Sequence, residues 1–145
     1  MSAADAPRIR IELAADTDAV VAAAAARRFA LAHGASARAS QELAIVVAEL
    51  ASNALKYAGG GSMSVSMGDD GRLLVEALDR GPGIADPALA LVDGVSEGRR
   101  VDQGEAPDRR GLGAGLGAVR RLTDTLVIEP RVGGGTRVLA RKRLR

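Results

Sequence analysis

Aromatic side chains are almost absent from this chain, and their absence limits how its interior can be filled. Phe29 and Tyr57 are the only aromatic residues among 145 positions. Because native interiors are closely packed, Ala, Val and Leu must fill the core, and Ala-rich helices must approach a sheet closely. A chain of this length forms one ordinary domain that buries roughly 70% of its unfolded surface. We therefore expect a single domain over residues 1–145.

Composition and charge exclude several classes of function. The chain is 47% apolar and 26% charged, which is typical of globular proteins, and it has no cysteine for disulfides or thiolate metal sites. The net charge is +2, with cations spread among acids up to a final RKRLR that we expect to be solvated. Nucleic-acid binding would need a concentrated basic face and aromatic platforms. The Ala-rich run at 19–26 is too short to span a bilayer. We expect a cytoplasmic protein without a nucleic-acid or membrane partner.

The periodicity of apolar residues predicts the secondary structure. Alternation of apolar and polar residues indicates strands, and apolar residues at helical spacing indicate helices. The predicted strands are 8–13, 63–67, 73–79, 125–128 and 136–141. The predicted helices are one that Asp16 caps and Gly34 ends, one that Ser36 or Ser40 begins and glycines 59–61 end, a short one at 87–92, and one at 112–122. This order predicts a two-layer α/β sandwich, with helices covering one face of a mixed, largely antiparallel sheet.

Two polar features are unusual for packing elements. Glu49, Asn53 and Lys56 are four and three residues apart, so they share one face of the second helix beside its buried stripe. The plain alternative is a surface ion pair between Glu49 and Lys56, worth about 0–1 kcal/mol, with Asn53 as a surface amide. Asp79 ends a strand on the same side as the apolar residues. Its plain alternative is a turn-starting Asp before Gly-Pro-Gly.

Three glycine-rich segments follow, namely DRGPGI at 79–84, GLGAGLG at 111–117 and GGGT at 133–136. Each alone is more often a turn than a ligand site. A dinucleotide-binding loop requires a preceding strand, whereas EAPDRR precedes the second segment. A Walker loop is excluded because lysine occurs only at Lys56 and Lys142. Glycines that open a helix still present backbone N–H groups to an anion, and a triphosphate would suit that position.

Taken in order, E-x-x-x-N-x-x-K, D-x-G-x-G-I, G-x-G-x-G-x-G and G-T are far more specific than any one of them. Together they resemble the GHKL (Bergerat-fold) ATPase superfamily. ELASNALKYAGGG resembles its N box, DRGPGI its G1 box and GLGAGLGAVRRL its G2 box. ELASNALKYAG and ALVDGVSEG are most similar to the small serine/threonine kinases that act on anti-sigma-factor antagonists. The resemblance extends over about residues 35–142.

The resemblance implies a role for each matching position. Glu49 would be the catalytic general base, Asn53 would coordinate Mg²⁺, and Lys56 would offset phosphate charge. Asp79 would accept a hydrogen bond from the adenine amino group. The other nucleotide-binding positions would be Gly81, Gly83 and Ile84 at the base, Gly111, Leu112, Gly113, Gly115, Leu116 and Gly117 at the phosphates, and Thr136 in the adenine pocket.

The resemblance also implies cofactors, partners and a function. The cofactors would be ATP and Mg²⁺, covered by a mobile ATP lid at about 94–113 that EGRRVDQGEAPDRR extends. The activity would be phosphorylation of a STAS-domain protein in a bacterial partner-switching pathway, with a PP2C-type phosphatase or a sigma factor as further partners. The alternative is an anti-sigma factor or a nucleotide-dependent binding module with little kinase activity. A histidine-kinase fragment is disfavoured because His33 has no acidic neighbour.

Overall fold

The computed structural model describes residues 6–81, 95–96, 99–100 and 112–145. The predicted helix at 87–92 and most of the predicted lid at 94–113 lie outside these ranges. The helices are α1 (Asp16–Ala32), α2 (Ala37–Ala58) and α3 (Leu112–Leu122). The strands are β1 (Arg8–Leu13), β2 (Gly61–Met67), β3 (Leu73–Asp79), β4 (Val95–Ser96), β5 (Arg99–Arg100), β6 (Thr125–Pro130) and β7 (Thr136–Lys142).

Five strands form one sheet in the order β1-β2-β3-β7-β6, and β4 pairs with β5 separately. Every pair among these strands is antiparallel. The pairing of β3 with β7 brings Leu78 opposite Arg137, so residues far apart in sequence meet at the centre of the sheet. The three helices pack on one face of the five-stranded sheet. The predicted two-layer α/β sandwich with a largely antiparallel sheet is therefore confirmed.

Small residues make the helix layer close-packed, as expected for a core with almost no rings. Ala22, Ala26 and Ala30 of α1 and Ala51 of α2 are fully buried, each with 0% of its surface exposed. Phe29 is buried among them, with 8% of its surface exposed. The predicted inward residues of α2 are all buried, namely Leu43, Val46, Val47, Leu50 and Ala54. Within the described residues, no helix is both long enough and apolar enough to cross a membrane.

The predicted start of α2 is confirmed, whereas the predicted cap of α1 is wrong. Ser36 begins α2, because its side chain accepts a hydrogen bond from the Ala39 amide at 3.1 Å. Asp16 does not cap α1, since Ala15 occupies the cap position. Instead, the Asp18 carboxylate accepts hydrogen bonds from the Ala15 and Ala14 amides, each at 2.8 Å. These two hydrogen bonds lower the pKa of the Asp18 carboxyl, and the bond from the Ala15 amide has the larger effect.

The prediction of a solvated C-terminal segment is wrong for Lys142. This lysine is buried, with 9% of its surface exposed, and its Nζ donates to the Leu122 carbonyl at 2.7 Å. Its Nζ also lies 3.6 Å from Glu42 Oε2. The reason is the two-residue period of β7, whose inward positions are 136, 138, 140 and 142. The strand runs one residue further than predicted and carries the lysine inward.

Candidate active site

Two of the three polar residues on the stripe of α2, Glu49 and Asn53, face α3. Gly115, on α3, is buried against this stripe, and a Cβ built there would lie 2.7 Å from Glu49 Oε2. The same Cβ would lie 3.5 Å from Asn53 Nδ2. Only glycine therefore allows α3 to rest on these two side chains without displacing them. The fold brings Glu49 and Asn53 together with the glycine-rich end of α3, a juxtaposition that the sequence predicted.

The Asn53 amide has unused hydrogen-bonding capacity. Its Nδ2 is buried and has no hydrogen-bond partner among the described residues. A buried amide donor that stays unpaired costs about 1–3 kcal/mol, so a buried orphan of this kind suits a site that a ligand completes. The other end of the amide, Oδ1, is an oxygen of the type that Mg²⁺ accepts, and Mg²⁺ often takes only one or two protein oxygens beside substrate phosphates and waters. Asn53 therefore fits the role of a Mg²⁺ ligand.

Asp79 is the last residue of β3, and its carboxylate is fixed through one oxygen. Oδ1 accepts hydrogen bonds from the Gly81 amide at 3.0 Å and from the Thr136 amide at 3.2 Å. The bond from Gly81 is the turn that the plain alternative predicted, and the bond from Thr136 ties the same oxygen to β7. Oδ2 accepts no hydrogen bond from the described part of the chain. The carboxylate is thus oriented, with one oxygen available to a donor such as an amino group.

The loop that joins β6 to β7 packs over Asp79 and contains a residue that the sequence analysis missed. Arg131 Nη1 donates to the Asp79 carbonyl at 2.7 Å. Gly135, with φ +95°, lies against the same carbonyl, and a Cβ there would collide with it. The three glycines at 133–135 signalled a turn. The Arg131 contact has no local signal, because it joins residues 52 positions apart.

We expect Gly135→Ala to destabilise the protein more than Gly133→Ala. Both glycines have positive φ, +95° and +89°, but a Cβ at Gly133 would meet no atom within 4 Å. Gly133→Ala therefore measures the backbone strain, and the extra loss in Gly135→Ala measures the contact with Asp79. The difference in the free energy of unfolding should be about 1–3 kcal/mol, measured by urea denaturation. Equal losses in the free energy of unfolding for the two variants would show that the backbone near Asp79 moves to accept the added Cβ without a measurable cost.

The remaining predicted positions are distributed as follows. Gly81 lies against the end of α2, where a Cβ would collide with Ala58. Thr136 is buried, with 3% of its surface exposed, and Lys56 is exposed, with its Nζ 5.6 Å from the Tyr57 ring centroid. Leu116 and Gly117 are buried in α3, and Leu112 and Gly113 belong to the same helix. Gly83, Ile84 and Gly111 lie outside the described residues.

Comparison with known proteins identifies the family. A family model described as a histidine kinase-like ATPase domain matches residues 13–142. The chain belongs to this family. The match includes both helices of the polar site and the two strands that hold Asp79 and Thr136. Since the family is one of ATPase domains, nucleotide use follows from membership, and the resemblance drawn from the motifs is confirmed.

A relative of this histidine kinase-like ATPase domain is the serine/threonine-protein kinase RsbT of Bacillus subtilis (strain 168). The two are 37% identical over 102 residues, which is 68% of this chain and 68% of the relative. The similarity to small serine/threonine kinases is therefore confirmed as well.

Two solved structures share the fold. The RsbU and RsbW domains of Rv1364c from Mycobacterium tuberculosis match with a TM-score of 0.64 and 18% identity, over 95% of this chain. This chain spans 32% of the length of that chain. The SiaB-SiaC complex from Pseudomonas aeruginosa matches with a TM-score of 0.59 and 14% identity, over 94% of this chain and 88% of the other. These matches confirm the fold class.

Proposed function

We propose that this protein is an ATP-dependent serine/threonine protein kinase of a bacterial partner-switching pathway, and that it phosphorylates a hydroxyl group on a STAS-domain protein. The observation that carries the proposal is the contact of α3, through Gly115, with Glu49 and Asn53. A carboxylate and an amide without a hydrogen-bond partner then lie beside the glycine-rich N-terminal part of a helix, whose backbone N–H groups can bind phosphates. The identity with RsbT, a serine/threonine-protein kinase, supports the same activity.

In the proposed reaction the chain supplies a general base and the groups that position the γ-phosphate of ATP. Glu49 takes the proton from the attacking serine or threonine hydroxyl as its oxygen bonds to the γ-phosphorus and ADP leaves. Such assistance is typically worth about 10²–10⁴ in rate. Asn53 Nδ2 donates to a phosphate oxygen, and its Oδ1 would hold Mg²⁺. When bound, Mg²⁺ neutralises charge on the phosphates. Lys56 adds positive charge at the edge.

Asp79 is proposed to select adenine. Its Oδ1 is occupied by the Gly81 and Thr136 amides, so Oδ2 would accept the hydrogen bond from the adenine amino group. Arg131 and Gly135 hold the backbone of Asp79 from the other side. The preference for a purine with an amino group would therefore depend on the Asp79 carboxylate, which the Gly81 and Thr136 amides orient before the nucleotide binds.

The proposal is tested by incubating the purified protein with labelled Mg-ATP and a STAS-domain protein encoded beside it. We expect label on a serine or threonine of the STAS protein. ATP-dependent binding without transfer would instead favour the second candidate, a partner-binding module or anti-sigma factor. Recovery of an RNA polymerase sigma subunit with the protein from cell extract, in an ATP-dependent manner, would identify the anti-sigma role.

We expect Asn53→Ala to raise the Mg²⁺ concentration that supports half-maximal transfer by about 10–100-fold, the range typical for weakened metal sites. The reason is the loss of the proposed oxygen ligand. Ser52→Ala is the matched control, because Ser52 is exposed on the adjacent position of α2. The two variants are compared by Mg²⁺ titration at saturating ATP. An unchanged Mg²⁺ dependence in Asn53→Ala would remove the metal role.

We expect Arg131→Gln to weaken ATP binding by about 3–10-fold, the effect of one hydrogen bond that no longer fixes Asp79. The loss should disappear for purine riboside triphosphate, which lacks the 6-amino group, because that nucleotide makes no use of Asp79. Binding is measured by calorimetry. The control is Arg28→Gln, because Arg28 is an exposed residue of α1. An equal loss for both nucleotides would mean that Arg131 supports the fold and not the amino-group contact.

A further inference from the structure

A positively charged concave surface, which we name the basic cleft, lies at the ends of α2 and α3 that are remote from the candidate active site. It encloses about 350 Å³ between the first turns of α2, the end of α3 and the end of β7. Its positive side chains are Arg38, Arg121, Lys142, Arg143 and Arg145. The sequence analysis treated Arg38 and Arg121 as dispersed cations and the other three as part of a solvated RKRLR segment, because the five come from three separate segments of the chain.

The acids in the basic cleft are engaged with its own cations. Glu42 lies 3.3 Å from Arg38 Nε and 3.6 Å from Lys142 Nζ. Asp124 accepts hydrogen bonds from the backbone amide of Arg143 at 2.6 Å and from its Nε at 3.1 Å. Arg121 takes part in a further interaction of its own. The other four cations outnumber the two acids, which leaves a net side-chain charge of +2. The whole chain carries +2, so all other side chains together, Arg121 included, carry no net charge.

The basic cleft has a buried, hydrogen-bonded floor and exposed walls. Lys142 forms the floor, with 11% of its side chain exposed, and its Nζ is held by the Leu122 carbonyl and Glu42. Arg38 forms part of the wall, with 91% of its side chain exposed. An exposed guanidinium can rotate to meet a carboxylate with two parallel hydrogen bonds. A concave site with a positive floor and arginine walls is complementary to a chain segment that carries several carboxylates.

We propose that the basic cleft is a docking site for an acidic segment of a partner protein. Charge complementarity favours an anionic occupant, and the lining residues favour protein over nucleic acid. Single-stranded nucleic acid is bound through aromatic stacking platforms beside basic residues. Neither Phe29 nor Tyr57 lines the basic cleft, and the sequence has no other aromatic residue. A cleft of about 350 Å³ accommodates several side chains of a peptide.

A partner docked in the basic cleft leaves the candidate active site open. Glu42 precedes Glu49 by seven residues on α2, and Leu122 follows Gly115 by seven residues on α3. Each separation corresponds to about 10 Å along the helix axis. Nucleotide and acidic segment can therefore bind at the same time, on the same two helices. The proposal does not require kinase activity, because it concerns binding alone.

The experiment uses the full chain without nucleotide. The probe is a synthetic 12-residue peptide of alternating acidic residues and glycine, and the control peptide carries Asn and Gln in place of Asp and Glu. Binding is measured by calorimetry at low and at physiological salt. The cleft variant is Arg38→Gln with Arg145→Gln. Its matched control is Arg27→Gln with Arg28→Gln, which removes two exposed cations from α1. Urea denaturation verifies that both variants are folded.

We expect the acidic peptide to bind and the amide peptide not to bind. The cleft variant should raise the dissociation constant by about tenfold, and the α1 variant by less than about twofold, with weaker binding at higher salt. The proposal is overturned if the acidic peptide does not bind or if both variants weaken binding equally. It is also overturned if oligothymidylate binds more tightly than the peptide and the cleft variant abolishes that binding. Each outcome is independent of phosphoryl transfer.

Discussion

Glu49→Gln is expected to lower the rate of phosphoryl transfer by about 10²–10⁴-fold with little change in ATP affinity. Glutamine keeps the shape that packs against Gly115 and removes the group that accepts a proton. The loss should therefore appear in kcat, measured by transfer of label from ATP to the STAS-domain protein. ATP affinity, measured separately by calorimetry, should stay within about threefold of the unaltered protein, because a general base acts on the attacking hydroxyl.

Glu12→Gln is the matched control for that experiment. It makes the same chemical change on β1, where the side chain of Glu12 is 71% exposed and pairs with Arg10. Its transfer rate should equal that of the unaltered protein. Transfer at an unaltered rate in Glu49→Gln would remove the general-base role. A loss of ATP affinity as large as the loss of rate would assign Glu49 to nucleotide binding instead.

Asp79→Asn is expected to weaken ATP binding by about 100-fold, the scale of a lost hydrogen bond to a charged group. The asparagine oxygen can keep the two bonds from Gly81 and Thr136. Its NH₂ group then occupies the position of Oδ2 and points a donor at the adenine amino group, which is also a donor. Binding is measured by calorimetry with a non-hydrolysable ATP analogue, and folding is verified by urea denaturation.

A nucleotide with a 6-oxo group provides the decisive control for Asp79. Inosine triphosphate carries an acceptor where ATP carries the amino group. The Asp79→Asn variant should therefore bind inosine triphosphate more tightly than it binds ATP, which reverses the preference of the unaltered protein. A variant that binds both nucleotides weakly but keeps the original preference would contradict the adenine contact, as would one that binds ATP with unaltered affinity.

Several features of the site could be predicted from the sequence because they depend on local periodicity. Glu49 and Asn53 are one turn apart on α2, so any helix through them presents both on one face. Asp79 lies at a two-residue spacing from Leu73, Val75 and Ala77, so it emerges on the same face of the strand as they do. The glycine-rich segments became specific only because they follow Glu49, Asn53 and Asp79 in the order typical of the ATPase family. None of this required knowledge of which elements touch.

Other features could not be predicted because they depend on contacts between distant segments. Arg131 meets the Asp79 carbonyl because β7 pairs with β3 and places the β6–β7 loop over the end of that strand. Lys142 was read as part of a solvated tail, and only the extra residue of β7 turned it inward. The cap of α1 was also wrong, since Asp18 and not Asp16 binds the free amides.

The sequence by itself determined the three helices, the strands of the five-stranded sheet, their inward faces and the polar stripe, since each is a consequence of the 3.6-residue and 2-residue periods of the backbone. Only the tertiary structure decided what the stripe faces. The contact of Gly115 with Glu49 and the gathering of five cations into the basic cleft both result from packing α3 beside α2 on the same face of the sheet. Packing joins residues by distance in space, and no spacing along the chain encodes that distance.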